Sequence, residues 1–115
     1  MCTKEKLQIV MHEVVDAALA LTPKVQKIIL YGSYARGDNN EDSDIDLMIL
    51  MDGTEKEISK YRIPMSQAMS RISLKNDVLI AAVVRDKNDY LERQNYIPYY
   101  KNVAQEGVEL YGRTA

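Results

Sequence analysis

Residues 44–51 (DIDLMILM) constrain the fold more than any other segment of this chain. After Asp46 every residue through Met51 is apolar, and the turn signal Asp52-Gly53 follows. A short apolar run bounded by turn residues predicts a strand buried inside a sheet. The two aspartates at its start would therefore lie at the edge of a buried element, where packing can hold their carboxylates rigidly.

The rest of the chain predicts further strands and helices around this one. Short apolar or β-branched runs predict strands over Val25–Tyr31 and Asp77–Val84, and residues 109–112 predict either a short edge strand or an ordered tail. Apolar residues at three- and four-residue steps, or capping residues, predict helices over about 3–21, 54–72, 86–95 and 98–106. Pro64 is expected to kink or split the second of these helices. The predicted fold class is α/β (α+β), a small mixed sheet with helices mainly on one face.

Composition limits the classes of function. The 115 residues predict a single domain over 1–115, and 46% hydrophobic with 28% charged residues is typical of soluble globular proteins. A net charge of −2 argues against strong binding of long nucleic acids, which favours a basic face. The chain has no apolar run of the roughly 18 residues that a membrane span needs. One cysteine and the lack of a signal-peptide pattern predict a cytoplasmic protein.

The segment after the first predicted strand has the residues of an anion site. Gly32 permits a tight turn and the close approach of a phosphate group, and Ser33 offers a hydroxyl and a backbone N–H. Arg36 is a candidate phosphate contact, although an ion pair with Asp38 or Asp42 explains it nearly as well. Gly32-Ser33 alone would equally suit a strand-to-helix turn with a capping serine.

Three aspartates are candidates for metal binding and catalysis. Asp44 and Asp46 are two residues apart on a predicted strand, so their carboxylates share one face, roughly 6.6 Å apart along the chain. Such a pair can hold two Mg²⁺ ions for phosphoryl-type transfer, although solvated loop charges are the simpler alternative. Asp77 opens the third predicted strand. If the two strands are neighbours, Asp77 could bind metal or accept a proton; otherwise it is a turn or cap residue.

Tyrosines are concentrated in the last third of the chain. Packing at the edge of the core explains them most simply, and a face that binds a partner protein is the alternative. The residues concerned are Tyr90, Tyr96, Tyr99, Tyr100 and Tyr111.

The stretch GSYARGDNNEDSDID resembles the G-S-x10-D-x-D signature of the DNA polymerase β-like nucleotidyltransferases. Gly32, Ser33, Asp44 and Asp46 stand on its four fixed positions, and the flanks LYGSYARG and SDIDLMIL are similar to the minimal nucleotidyltransferase (MNT) branch. The resemblance covers essentially the whole chain. It implies the fold of that superfamily, Mg²⁺, ATP or another nucleoside triphosphate as donor, and Asp77 as the third carboxylate.

The resemblance also implies a partner, a helical HEPN-domain toxin that the MNT protein neutralises by transferring AMP to a tyrosine. Two alternatives remain open: an antitoxin that neutralises the partner by binding alone, and transfer to a hydroxyl of a small molecule. With no residues left for a separate acceptor domain, the acceptor is expected on another protein. The oligomeric state, homo-oligomer or hetero-oligomer, is not indicated.

Overall fold

The computed structural model describes residues 2–113 and is built around a mixed four-stranded sheet. The strand order is β3-β2-β1-β4; β1 runs antiparallel to both of its neighbours, and β2 runs parallel to β3. The predicted mixed sheet is thereby confirmed. The elements in chain order are α1 Lys4–Leu21, β1 Val25–Tyr31, α2 Ser33–Arg36, β2 Ile45–Met51, α3 Glu55–Asn76, β3 Ile80–Asp86, α4 Lys87–Arg93, α5 Pro98–Glu106 and β4 Val108–Gly112.

Strand β2 is buried on both of its faces. Leu47, Ile49 and Met51 point into a core formed with the long helices α1 and α3. Met48 and Leu50 point the other way, into a smaller core formed with the short helices α4 and α5. Helix cover on both faces explains why this strand is continuously apolar rather than alternating. The two long helices share one face, and Asp46, two residues before Met48, faces the side of α4 and α5.

Local capping signals locate the starts of the helices. The Thr3 hydroxyl accepts a hydrogen bond from the Lys6 N–H at the start of α1. Thr54 and Glu57 form the predicted capping box of α3, with N···O distances of 3.1 and 3.2 Å. Pro64 lies inside α3, yet the helix runs unbroken from Glu55 to Asn76, so the prediction of a split helix is wrong. Residues on both sides of the proline, Ile58 and Met65 among them, pack into one core and hold the helix together.

The end of α3 differs from the prediction for the third strand. Asp77 does not open a strand; it ends the helix in the left-handed conformation, with φ 53° and ψ 50°. The N–H groups of Asp77 and Val78 both donate to the carbonyl of Ser73, which completes the last turn. Strand β3 therefore begins three residues later than predicted, at Ile80.

The last segment of the described chain forms an edge strand. β4 pairs antiparallel with β1, which confirms the strand alternative for residues 109–112. Within residues 2–113, no helix combines the length and the apolar character that crossing a membrane requires.

The tyrosines of the last third divide between the core and the surface. Tyr90 and Tyr100 are buried beneath α4 and α5, whereas Tyr96 is 70% exposed and Tyr99 is 39% exposed. Packing therefore explains the first two, and the latter two remain available for contact with another molecule.

Candidate active site

Antiparallel pairing of β1 with β2 brings Gly32 against Asp46. Tyr31, the last residue of β1, is paired with Asp46, so the chain leaves the strand directly beside this carboxylate. Gly32 has φ 77° and ψ −156°, a backbone conformation nearly restricted to glycine. A Cβ at this position would overlap the Asp46 carboxylate, since it would lie only 3.2 Å from Cγ and closer still to Oδ2. The glycine is therefore required both by its backbone angles and by the space that Asp46 occupies.

The paired aspartates differ in their surroundings. Asp44 immediately precedes β2 and is exposed, whereas Asp46 is half-buried between two apolar residues. Burial raises the pKa of Asp46, and the nearby charges of Asp44 and Glu106 raise it further, while Arg36 acts in the opposite direction. A cation bound between the two carboxylates would favour their ionised forms.

The turn after Gly32 is closed by a short helix. Arg36 donates its backbone N–H to the Gly32 carbonyl at 3.0 Å, and Gly37 ends α2 in the left-handed conformation with φ 86°. Ser33 is the first residue of α2 and lies directly beside Gly32, as predicted for an anion-binding turn. The Arg36 side chain is exposed and forms an ion pair with Asp38, with Nε 3.1 Å from Oδ2, which confirms one of the two ion pairs considered for it.

Glu106 is a residue of this site that the sequence pattern did not reveal. It is the last residue of α5, and its carboxylate accepts hydrogen bonds from the Gly32 N–H at 3.2 Å and from Arg36 Nη1 at 3.1 and 3.2 Å. A negative side chain at the carboxyl end of a helix is disfavoured by the helix dipole. An acidic residue at the end of the predicted helix was the one feature of the sequence that indicated a positively charged or N–H partner for Glu106.

Asp77 is not brought to this pair. Strands β2 and β3 are neighbours, as the three-aspartate prediction required, but Asp46 is level with Ala81. Asp77 precedes β3 and lines a separate surface cavity together with Lys6, Tyr34 and Ser43. Across residues 2–113, no group of three or more His, Cys, Asp or Glu side chains is arranged to hold a metal ion. The predicted three-carboxylate cluster is thus absent from the described structure, because the helix α3 extends to the residue before Asp77.

Two tyrosines lie on the α5 side of the carboxylates. The hydroxyl groups of Tyr31 and Tyr99 are 2.6 Å apart, and their rings meet edge to face with centroids 5.8 Å apart. Burial raises the pKa of Tyr31, with further contributions from the hydrogen bond to Tyr99 and the charge of Asp46. The Tyr31 hydroxyl therefore stays protonated at neutral pH beside the aspartate pair.

This arrangement suits a metal-bound phosphate compound. Gly32 presents a backbone N–H, Arg36 presents a guanidinium, and a glycine at the turn allows a ligand to approach the backbone closely. Mg²⁺ is commonly held by only one or two carboxylates and completes its coordination with substrate phosphates and water. Asp44 and Asp46 have the donor chemistry for such an ion.

Comparison with known proteins gives matches over most of the chain. The family model described as the nucleotidyltransferase domain matches residues 11–110. The Methanocaldococcus jannaschii protein named "Putative protein adenylyltransferase MJ0141" is 37% identical over 83 residues, which cover 72% of this chain and 82% of that protein.

Solved structures match the fold at low sequence identity. A chain in the structure of a toxin-antitoxin with AMP-PNP has a TM-score of 0.63 and 24% identity, covering 90% of this chain and 74% of its own. A chain in the structure of the tri-AMPylated Shewanella oneidensis HEPN toxin in complex with MNT antitoxin has a TM-score of 0.57 and 23% identity, covering 92% and 72%. At these identities the likeness concerns the fold alone.

Proposed function

Because the chain belongs to the nucleotidyltransferase domain family, and is therefore a nucleotidyltransferase, we propose that it transfers AMP from ATP to a hydroxyl group on a partner protein. The observation that carries the proposal is the Asp46 carboxylate held against the Gly32 turn. That contact supports the proposal, because nucleotidyl transfer needs a metal ligand close to the group that binds the triphosphate.

Asp44 and Asp46 are the proposed metal ligands. Mg²⁺ ions bound there would activate the attacking oxygen and stabilise the charge on the leaving pyrophosphate. Gly32 would hold the triphosphate through its N–H, Ser33 through its hydroxyl and N–H, and Arg36 through its guanidinium. The strand β2, buried immediately after Asp46, would hold the Asp46 carboxylate in place with little reorganisation during the reaction.

The proposed reaction exchanges one bond to the α-phosphorus for another. The acceptor oxygen loses its proton to solvent and bonds to the α-phosphorus, while the bond from that phosphorus to the oxygen bridging to the β-phosphorus breaks. AMP remains on the acceptor, and pyrophosphate leaves. Orientation of the triphosphate by the turn and neutralisation of its charge supply most of the catalysis in reactions of this kind.

The proposed acceptor is a tyrosine of a HEPN-type toxin, which would make this chain an antitoxin. Support comes from the relative named as a protein adenylyltransferase and from the fold neighbour whose HEPN toxin partner is described as tri-AMPylated. The exposed Tyr96 and Tyr99 side chains offer contact area for such a partner, and Tyr99 contacts Tyr31, which is paired with Asp46.

The test uses ATP labelled at the α-phosphate, Mg²⁺ and the helical protein encoded by the neighbouring gene. We expect label on a tyrosine of that protein, none from ATP labelled at the γ-phosphate, and none after chelation of Mg²⁺. Asp46→Asn should abolish transfer, whereas Asp42→Asn, which removes an exposed loop charge, should retain it. Peptide mapping would identify the modified residue.

Two results would contradict the proposal in different ways. If the wild-type protein transfers no label and the double variant Asp44→Asn, Asp46→Asn still neutralises the toxin, the protein acts by binding alone. If label accumulates instead in small acid-soluble compounds, the acceptor is a small molecule rather than a protein.

A further inference from the structure

The carboxylate of Glu106 contacts the two groups of the site that are best suited to bind phosphate. The Gly32 N–H donates to Oε1 at 3.2 Å, and Arg36 Nη1 lies 3.1 Å from Oε1 and 3.2 Å from Oε2. A backbone N–H in a glycine turn and a guanidinium are the donors that recur around bound phosphate groups. We propose that Glu106 occupies the position of a nucleotide phosphate in the free protein, so that binding of the triphosphate exchanges this carboxylate for a phosphate group. The inference rests on the proposed function in that it names the same phosphate site.

In the free protein the buried Gly32 N–H needs a hydrogen-bond acceptor. Gly32 is buried, and its N–H would otherwise lack a partner at the start of α2, where the backbone donors of a helix are unpaired. The Glu106 carboxylate is that partner. The helix α5 holds Glu106 at this position, because Tyr100 and Val103 of the same helix pack into the smaller core.

The contact is also weak enough to be exchanged. The Arg36 side chain is 46% exposed and the Glu106 side chain is 27% exposed, and ion pairs with this access to water contribute little net stability. Glu106 lies at the carboxyl end of a helix, where the helix dipole makes a negative charge unfavourable. A triphosphate with several charges should displace it, and rotation of the Glu106 side chain alone would open the position while α5 stays packed.

The first experiment compares anion affinity by calorimetry in the wild-type protein, Glu106→Gln and Glu109→Gln. Glu109→Gln is the matched control, because it also removes one negative charge. Glu109 lies on strand β4 and is paired with Lys27 of strand β1. We expect Glu106→Gln to bind tripolyphosphate without metal, and AMP-PNP with Mg²⁺, about threefold more tightly than the wild-type protein. Glu109→Gln should bind both as the wild-type protein does.

The second measurement does not depend on a variant that folds. Titration of the ¹⁵N-labelled wild-type protein with tripolyphosphate should shift the Gly32 amide resonance and the Arg36 Nη resonances together, because these are the groups that contact Glu106. An unmoved Gly32 amide at saturating tripolyphosphate would overturn the exchange, as would unchanged or weaker binding by a folded Glu106→Gln. Weaker binding of AMP-PNP only when Mg²⁺ is present would make Glu106 a metal ligand instead.

These outcomes separate the exchange from the proposed function. Tighter tripolyphosphate binding by Glu106→Gln without AMP transfer by the wild-type protein would support the exchange and contradict the transferase proposal. AMP transfer together with unchanged tripolyphosphate binding would do the reverse.

Discussion

Replacing Gly32 by alanine tests the contact on which the candidate site is built. The new Cβ would meet two obstacles, the backbone conformation of φ 77° and ψ −156° and the Asp46 carboxylate. We expect Gly32→Ala to destabilise the protein and to abolish AMP transfer, because Asp46 must move from the turn to make room.

The size of the effect follows from the two obstacles. Backbone angles of this kind cost a residue with a Cβ about 2 kcal/mol. Overlap with a packed neighbour costs roughly 2 kcal/mol more, which gives a total loss of about 4 kcal/mol in the free energy of unfolding. Gly37→Ala is the control, because Gly37 also has a positive φ of 86° but a Cβ there meets nothing within 4 Å. It should lose only about 1 kcal/mol, the cost of the left-handed conformation.

Urea unfolding followed by circular dichroism measures both losses, since the chain has no tryptophan for fluorescence. Repeating Gly32→Ala in an Asp46→Ala background isolates the overlap. There the glycine substitution should cost only the backbone share, which gives a coupling of about 2 kcal/mol between the two positions, well above the error of such cycles. An equal loss in both backgrounds would refute the argument that Asp46 and Gly32 compete for the same space.

Two further substitutions test Asp77 and the charge of Asp46. Asp77→Gly should raise the free energy of unfolding by up to about 1 kcal/mol, because glycine adopts φ 53° and ψ 50° without strain, and AMP transfer should be retained; a folded variant without transfer would place Asp77 in the site. Asp46→Asn should stabilise the metal-free protein at neutral pH. Because the pKa of Asp46 is raised in the folded protein, ionisation lowers stability as pH rises from the ordinary aspartate range through that pKa. The urea midpoints of the wild-type protein and Asp46→Asn, measured in EDTA, should differ at neutral pH and converge at acid pH. A lower stability of Asp46→Asn than of the wild-type protein at neutral pH would contradict burial as the main cause of the raised pKa of Asp46.

Local signals in the sequence predicted much of the fold. The bounds of β1 and α5 were predicted to the residue, because Pro23 and Gly32 flank the strand, and Pro98 and Gly107 flank the helix. Each of these signals acts within a few residues of the chain. The Gly32-to-Asp46 part of the site was predictable for a similar reason, since its residues stand at a recognisable spacing.

Contacts between distant segments were not predictable from the same signals. The Glu106 carboxylate reaches Gly32 across 74 residues of sequence, through an α5–β1 arrangement that no local pattern indicates. No local pattern indicates the strand order β3-β2-β1-β4 either. The predicted start of β3 is wrong because Val78 and Leu79 extend the apolar run back to Asp77, whereas packing of α3 carries the helix to Asn76.

The register of β2 and β3 explains why the negative charge around Asp46 comes from other elements. Paired residues on neighbouring strands project to the same face, so the β3 side chain beside Asp46 is the methyl group of Ala81. Burial and the charge of Asp44 already raise the pKa of Asp46, and a carboxylate at the Ala81 position would add a further like charge. In this chain the further negative charge is carried by Glu106, which is paired with Arg36 and attached to a helix rather than to the sheet. The Glu106 side chain can rotate away from the site, so that an entering phosphate group can take its position. A carboxylate fixed on the central sheet could not move away in this manner.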